Sequence, residues 1–236
     1  MKQLTLSILC AILLLVGNSV ANAGTRETQQ KVVEFQTAQL VDNQKAEEAV
    51  PLTEEQQKFL DVLKTTEKSA VKIFGLSSSG MDRCSGVLIR NDEDNTVILT
   101  AKHCINTDEE LYVEDVPVKR VGVSLDDDLA YMVLEHPLDT KQPIKLAETS
   151  ALPLTVVFHI GYPTGDIYLS VGYIELRTKD WQFAKLLVQH GCSGGGIYNE
   201  EGQLVGILWG MLNDGRSILE PLSDVKKFIE ENKLLE

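Results

Sequence analysis

The chain has 236 residues, with 35 acidic and 22 basic side chains and a net charge of −13. This acidity argues against nucleic-acid binding, because phosphates require a basic protein face, and it disfavours docking on anionic lipid. With 43% hydrophobic and 24% charged residues, the chain can fold as one large domain or two small ones.

The first 23 residues have the features of a secretory signal peptide. Lys2 is their only charged side chain, an apolar run covers residues 4–16, and residues 21–23 (Ala-Asn-Ala) provide the small-x-small pattern that signal peptidase accepts. The apolar run is too short to cross a bilayer core, so we expect cleavage after Ala23 and no stable membrane anchor afterwards. The protein is then exported, periplasmic or extracellular, where disulfides can form.

Residues 24–68 form a polar segment rich in Gln and Glu. Thr53 and Gln56 match a capping box, in which the Thr hydroxyl accepts from the helix start and the Gln side chain reaches back. Apolar residues follow at helical spacing, which predicts a helix around residues 54–67. We interpret the segment as a helical extension of the main domain, with a propeptide as the alternative.

From Ser69 onward, short β-rich runs alternate with turn-forming clusters. The runs cover residues 71–76, 84–90, 96–101, 111–113, 118–123, 129–135, 155–160, 167–176, 184–188, 197–198 and 204–209. Many short strands at this spacing are typical of an all-β barrel or sandwich. Apolar residues at helical spacing predict a final helix over residues 222–232, with Ser223 as its cap.

Three segments carry residues suited to catalysis. They read Thr-Ala-Lys-His-Cys at 100–104, Asp-Asp-Asp-Leu-Ala at 126–130, and Gly-Cys-Ser-Gly-Gly-Gly at 191–196. A Gly-x-Ser-x-Gly pattern also occurs in α/β-hydrolases, but those enzymes place their acid and histidine after the serine. No histidine follows His190, so the order His, Asp, Ser is instead that of the chymotrypsin arrangement.

These motifs make residues 69–236 resemble a trypsin-like serine peptidase, similar to the bacterial HtrA protease domain. The family's motifs are Thr-Ala-Ala-His-Cys, Asp-Ile/Leu-Ala and Gly-Asp/Asn-Ser-Gly-Gly, and residues 159–163 (His-Ile-Gly-Tyr-Pro) are similar to the Ile-Gly-x-Pro of its HtrA-like branch. The resemblance implies an all-β fold of two six-stranded barrels (chymotrypsin-like), with the N-terminal helical extension and a C-terminal helix. Since the chain ends at Glu236, we expect no PDZ domain.

The resemblance also implies the roles of the site residues. Ser193 would be the nucleophile, His103 the general base, and Asp128 the group that orients the imidazole ring. The backbone N–H groups of Gly191 and Ser193 would form the oxyanion hole. The substrate would be a protein or peptide, and the reaction needs no cofactor.

The choice of Asp128 among three consecutive aspartates depends on the strand that follows. If the apolar residues at alternate positions of that strand occupy one face, Asp128 is directed to the other, inward face. Asp126 and Asp127 are the alternatives. We interpret His136 and His159 as structural, and we expect no metal site because no His/Cys group has zinc-ligand spacing.

The cysteines show one agreement with the family and one departure from it. Cys84 and Cys104 match the family's disulfide beside the catalytic histidine. Cys192 replaces the Asp that pairs with a cleaved N-terminus in animal digestive members, so activation by that route is not expected. We interpret Cys192 as a small buried hydrophobe, with a regulatory thiol as the alternative.

Substrate preference follows from two further matches to the family. Leu187 lies six residues before the proposed nucleophile, at the family's pocket-base position, so we expect an apolar side chain before the scissile bond rather than Arg or Lys. His190 can add a polar contact. Leu208, Trp209 and Gly210 resemble the Ser-Trp-Gly strand, along which substrate pairs as an added β-strand.

A catalytically inactive trypsin-fold protein that acts as a binding module is the alternative function. His103 and Ser193 lie far apart in the sequence, and the motifs alone do not determine whether they meet in space. Labelling by a fluorophosphonate probe that depends on Ser193 discriminates between the two functions.

Overall fold

The structure is a computed structural model that describes residues 51–77, 80–106, 108, 110–178 and 181–236. The predicted signal peptide lies outside the described residues, as does most of the predicted extension. The chain divides into two compact units, Met1–Leu60 and Asp61–Glu236, and the predicted boundary after residue 68 stays a prediction. No helix among the described residues is long and apolar enough to span a membrane.

Helix α1 covers Glu54–Glu67, as the capping box predicts. The N–H of Thr53 donates to Gln56 Oε1 at 2.9 Å, and the N–H of Gln56 donates to Thr53 Oγ1 at 3.2 Å. Two amide groups that a helix start leaves unpaired are thereby satisfied. At the other end, the carbonyl of Thr66 accepts from the N–H of Ser69 at 2.9 Å, which leads the chain directly into the first strand.

The first six strands close into an antiparallel barrel, which we call barrel 1. They are β1 (Ala70–Ser77), β2 (Gly80–Asn91), β3 (Thr96–Ala101), β4 (Glu110–Val113), β5 (Val116–Val123) and β6 (Leu129–Leu134), paired in the order β1-β2-β3-β6-β5-β4. Leu88, Ile98 and Met132 are fully buried in its core. A 3-10 turn, Lys102–Cys104, follows β3 and carries His103.

The remaining six strands close into a second antiparallel barrel, barrel 2. They are β7 (Val156–Gly161), β8 (Tyr168–Arg177), β9 (Gln182–Lys185), β10 (Gly196–Tyr198), β11 (Leu204–Met211) and β12 (Ser217–Pro221), paired in the order β10-β11-β12-β9-β8-β7. Val157, Ile174 and Leu219 are fully buried in its core. Two closed six-stranded barrels confirm the predicted all-β fold class.

The C-terminal helix α2 covers Leu222–Glu231 and buries the side chains of Val225 and Phe228. The prediction that Ser223 caps this helix is wrong. The cap position is held by Pro221, whose extended backbone ends β12, so the helix begins two residues earlier than a cap at Ser223 would place it. Ser223 lies in the first turn, where its Oγ donates to Asp224 Oδ1 at 3.2 Å.

Two features of the strands differ from the sequence prediction. Strand β12 was not predicted, because Glu220 and Pro221 are residues that strand interiors disfavour, yet all five of its residues are buried. Strand β6 is buried on both faces. Met132 packs in the barrel core, while the ring of Tyr131 lies 6.0 Å from that of Phe228 in α2, so alternation alone could not orient Asp128.

Candidate active site

The turn after β3 brings His103 onto the carboxylate of Asp128. The N–H of His103 donates to Asp128 Oδ1 at 3.0 Å, and His103 Nδ1 lies 2.7 Å from Asp128 Oδ2. A carboxylate oxygen only accepts, so Nδ1 carries the proton and Nε2 is left free to accept one. The Asp128 side chain is 13% exposed and the His103 side chain 46%, which leaves the imidazole accessible to a substrate.

Of the three consecutive aspartates, the structure brings Asp128 to His103. Its carbonyl also accepts from the N–H of Lys102 at 3.0 Å. Asp126 is exposed, and Asp127 is held by Ser124, whose Oγ accepts from the Asp127 N–H at 3.1 Å. The three aspartates therefore lie in different surroundings, and Asp128 is the one in contact with His103.

Ser193 lies on the loop between β9 and β10. The loop turns tightly at Gly191 and Gly194, whose φ angles are +90° and +80°. Glycine adopts such positive φ angles readily because it has no Cβ. Ser193 and His103 line the same cavity, of about 360 Å³, together with His190. Ser193 Oγ donates to the carbonyl of Trp209 at 3.3 Å, so in this structure the hydroxyl is turned to Trp209 rather than bonded to His103.

The amides of Gly191 and Ser193 are available to a ligand. The neighbouring N–H groups of the loop are used, since Cys192 donates to Gln189 O at 3.0 Å and Gly195 donates to Cys192 O at 3.1 Å. In the part of the chain that the structure describes, no acceptor is recorded for the N–H of Gly191 or of Ser193. Two unpaired amides on one tight turn are suited to bind an oxyanion.

Ser85 on β2 holds this loop from barrel 1, a role that the sequence analysis missed. Its N–H donates to the carbonyl of Ser193 at 2.8 Å, and its Oγ donates to the carbonyl of Gly191 at 2.8 Å. Because Ser85 binds both carbonyls, it fixes the orientation of the peptide groups on either side of residue 192. The only signal in the sequence was the position of Ser85 next to Cys84.

The disulfide between Cys84 and Cys104 is confirmed. It joins β2 to the turn that carries His103, and it closes a loop with a sequence separation of 20 residues. In the chain-entropy model a bridge of this size stabilises the fold by roughly 3 kcal/mol. The bridge therefore anchors the turn that presents the imidazole.

Cys192, on the loop between β9 and β10, and His159 are both fully buried. Cys192 is fully buried in the core of barrel 2, and burial raises the pKa of its thiol, so the thiol stays protonated and inaccessible. His159 on β7 is also fully buried; burial lowers its pKa to about 4. Its neutral ring lies with Nδ1 3.1 Å from the carbonyl of Gly196, which is a structural contact.

The residues predicted to bind substrate have different surroundings. Leu187 is 76% exposed, so its side chain offers an open apolar surface and not the floor of an enclosed pocket. Leu208 is buried and forms part of the barrel core. The ring of Trp209 lies 5.5 Å from that of Trp181, and the register of β11 shifts between Leu208 and Gly210.

Strand β11 also has an open edge beside Ser193. Its pairing with β10 extends from Leu204 to Ile207, so residues 209–211 have no β10 partner among the described residues. A segment of extended peptide can add to such an edge through main-chain hydrogen bonds. The open edge thus lies next to the carbonyl of Trp209 that Ser193 contacts.

Comparison with known proteins identifies the family. The model of the trypsin-like peptidase domain family matches residues 84–207, whereas no curated protein sequence matches the chain. The structure is similar to that of a serine endoprotease from Yersinia pestis, with a TM-score of 0.64 and 21% identity over 77% of this chain and 67% of that one.

The Rv3671c protease of M. tuberculosis has the same fold. Its active form matches with a TM-score of 0.62 and 21% identity over 79% of this chain and 91% of that one. Its inactive form matches with a TM-score of 0.60 and 21% identity over 72% of this chain and 92% of that one. The family match covers more than half of the chain, so the chain belongs to the trypsin-like peptidase domain family and is a serine-type endopeptidase.

Proposed function

We propose that the chain is an exported serine endopeptidase that hydrolyses peptide bonds through Ser193, His103 and Asp128. One observation carries the proposal: His103 is hydrogen-bonded to both carboxylate oxygens of Asp128, beside a cavity that it shares with Ser193. With Nδ1–H directed to Asp128, Nε2 is the nitrogen that faces the reaction. This is the tautomer that a general base in such a triad requires.

The reaction begins when Ser193 Oγ turns from the Trp209 carbonyl to His103 Nε2. The Oγ–carbon bond then forms, the Oγ proton passes to Nε2, and the N–H groups of Gly191 and Ser193 stabilise the negative carbonyl oxygen. The C–N bond breaks as Nε2 gives its proton to the leaving amine, which leaves an acyl group on Ser193. A water then attacks the acyl carbon while His103 Nε2 takes one of its protons. The bond between that carbon and Oγ breaks as Nε2 gives the proton to Oγ, which releases the acid and restores the serine.

Export is part of the proposal. The Ala-Asn-Ala pattern at residues 21–23 supports cleavage by signal peptidase. The disulfide between Cys84 and Cys104 is consistent with an oxidising compartment. We expect the mature protein in the periplasm or the extracellular space.

The proposed substrate is a protein or peptide with an apolar side chain before the scissile bond. Leu187 offers an exposed apolar surface, His190 lines the cavity, and the open edge of β11 supports pairing with extended substrate. In a peptide library we expect cleavage after apolar residues. Strong preference for Arg or Lys would contradict this assignment.

An inactive binding module is the second candidate. The observation that favours it is the hydrogen bond of Ser193 Oγ to the Trp209 carbonyl, because a hydroxyl held there cannot be activated by His103. Serine hydroxyls often reach catalytic geometry only when substrate binds, so this bond alone does not decide against catalysis.

A fluorophosphonate probe distinguishes the two functions. We expect the probe to label the wild-type protein, because an activated serine attacks phosphorus and displaces fluoride. Ser193→Ala should abolish labelling, whereas Ser217→Ala, which removes a buried serine that bonds Leu186 O, should leave labelling intact. A folded wild-type protein that the probe does not label would favour the binding module.

A further inference from the structure

Glu220 on β12 contacts the backbone of Asp128 from barrel 2. Its side chain is 2% exposed, and its Oε1 accepts a hydrogen bond from the N–H of Asp128 at 3.1 Å. Asp128 lies directly before β6 of barrel 1. The hydrogen bond therefore joins the two barrels at the residue that orients the proposed general base.

The other polar groups of Asp128 are held within barrel 1. Both carboxylate oxygens accept from His103, and the carbonyl accepts from the N–H of Lys102. Because these contacts come from the same short turn, they keep Asp128 and His103 together without fixing the pair relative to Ser193. Among the hydrogen bonds that the described residues make to Asp128, the one to Glu220 comes from the barrel that carries Ser193.

We propose that Glu220 is a positioning residue of this peptidase: its buried carboxyl group holds the backbone of Asp128 so that the His103 imidazole faces Ser193. The inference rests on the proposed function, because it assigns a partner to the Asp128 of that triad. It also gives a reason for an acidic residue in the interior of β12.

The pKa of Glu220 distinguishes a positioning role from a purely stabilising one. The pKa of Glu220 is raised to about 7. Burial is the main cause, and the charges of Asp127, Asp128 and Asp224 add to it, while the hydrogen bond from the Asp128 N–H acts in the opposite direction. The pKa in the folded state is thus above the ordinary value of 4.5. The stability that the neutral carboxyl contributes is complete below pH 4.5 and is lost as the pH rises through about 7.

The side chains nearest to the Glu220 carboxyl are acidic, so they repel its negative charge when it ionises. The carboxylate oxygens of Asp127, Glu220 and Asp224 lie within 4.8 Å of one another. Burial raises the pKa of Asp224, which the cations Arg177 and Lys227 lower. A glutamine could accept the same hydrogen bond without this repulsion, so stability alone does not favour an acid at this position.

Ionised Glu220 has a consequence for catalysis. It accepts the Asp128 N–H more strongly than a neutral carboxyl does, and its negative charge stabilises the imidazolium that forms on His103 in the transition state. Wild-type turnover should therefore gain from the ionisation of Glu220 above about pH 7. The wild-type protein would then combine lower stability with higher turnover in this pH range.

The test compares Glu220→Gln and Glu220→Ala with the wild-type protein at pH 6 and pH 8.5, in a buffer that contains a metal chelator. For Glu220→Gln we expect a higher melting temperature and about five-fold lower kcat at pH 8.5, with both differences much smaller at pH 6. For Glu220→Ala we expect kcat to fall about 30-fold at both pH values with KM nearly unchanged, since an unpaired Asp128 N–H lets the pair shift.

Glu175→Gln is the matched control. Glu175 lies on β8 of the same barrel and faces Arg216 at 3.9 Å, so this variant loses one charge without losing a contact to Asp128. We expect its kcat to have the same ratio between pH 8.5 and pH 6 as that of the wild-type protein.

The outcomes separate this inference from the proposed function. If the probe labels the wild-type protein but Glu220→Gln has a wild-type pH profile and Glu220→Ala a wild-type kcat, the positioning role is wrong and the peptidase function stands. If Glu220→Ala does not fold, the pH profile of Glu220→Gln decides alone. A wild-type protein that the probe does not label would overturn both, whatever the melting temperatures show.

Discussion

Replacing Asp128 by asparagine is expected to lower kcat by about 10⁴-fold with little change in KM. In the wild-type structure both oxygens of Asp128 accept hydrogen bonds from His103. Asparagine has a single acceptor oxygen, and its amide can donate to Nδ1. That contact favours the tautomer with the proton on Nε2, which can no longer accept the proton of Ser193.

The measurement is steady-state hydrolysis of a peptide substrate, with Asp126→Asn as the control. Asp126 is adjacent to the site in sequence and exposed, so its replacement removes the same charge and no contact to His103. We expect Asp126→Asn to retain activity within about two-fold of wild type. The assignment of Asp128 fails if Asp128→Asn retains more than a tenth of wild-type activity, or if Asp126→Asn loses as much.

Replacing Gly194 by alanine is expected to destabilise the fold by roughly 3 kcal/mol or more and to remove nearly all activity. Gly194 has a φ of +80°, and a Cβ there would overlap Thr100 Oγ1 and the Ser85 carbonyl and lie 2.8 Å from the N of Ala101. Thr100 Oγ1 is fixed because it donates to that carbonyl at 2.9 Å. The loop between β9 and β10 must therefore move away from Ser85, whose N–H holds the carbonyl of Ser193.

Gly165→Ala is the control for Gly194→Ala, because it introduces the same kind of backbone strain without the steric overlap. Gly165 has a similar φ of +93°, but no atom lies within 4 Å of a Cβ built there. We expect this variant to lose about 1–2 kcal/mol and to keep its activity. Thermal and urea unfolding of both variants give the comparison, and equal destabilisation would show that packing against Ser85 and Thr100 is not what requires glycine at 194.

The features that the sequence could predict are those that local patterns encode. The capping box at Thr53 and Gln56 satisfies its own helix start. The spacing of short β-rich runs predicted an all-β barrel or sandwich, and the resemblance to trypsin-like peptidases implied two six-stranded barrels. The order of His103, Asp128 and Ser193 excluded the α/β-hydrolases, although order alone could not determine that His103 would meet Asp128 in space.

The features that the sequence could not predict depend on contacts between distant segments. Ser85 reaches the carbonyl of Gly191 across a sequence separation of 106 residues, and a serine in a strand carries no local sign of that partner. Glu220 is a polar residue in an all-buried strand, and its partner Asp128 is 92 residues away. The hydroxyl of Ser193 likewise bonds the carbonyl of Trp209 on β11, outside its own loop.

The topology of the two barrels has a consequence for the order in which a growing chain acquires its parts. Strands β1 to β6 precede the whole of barrel 2, and domains generally fold as units with the N-terminal one first. His103 and Asp128 can therefore be in place in barrel 1 while Ser193 is still being synthesised. Barrel 2 closes when β12 pairs with β9 and β11, and β12 brings Glu220 with it. Under the proposed function, the nascent chain therefore lacks its complete set of catalytic groups until translation is nearly over.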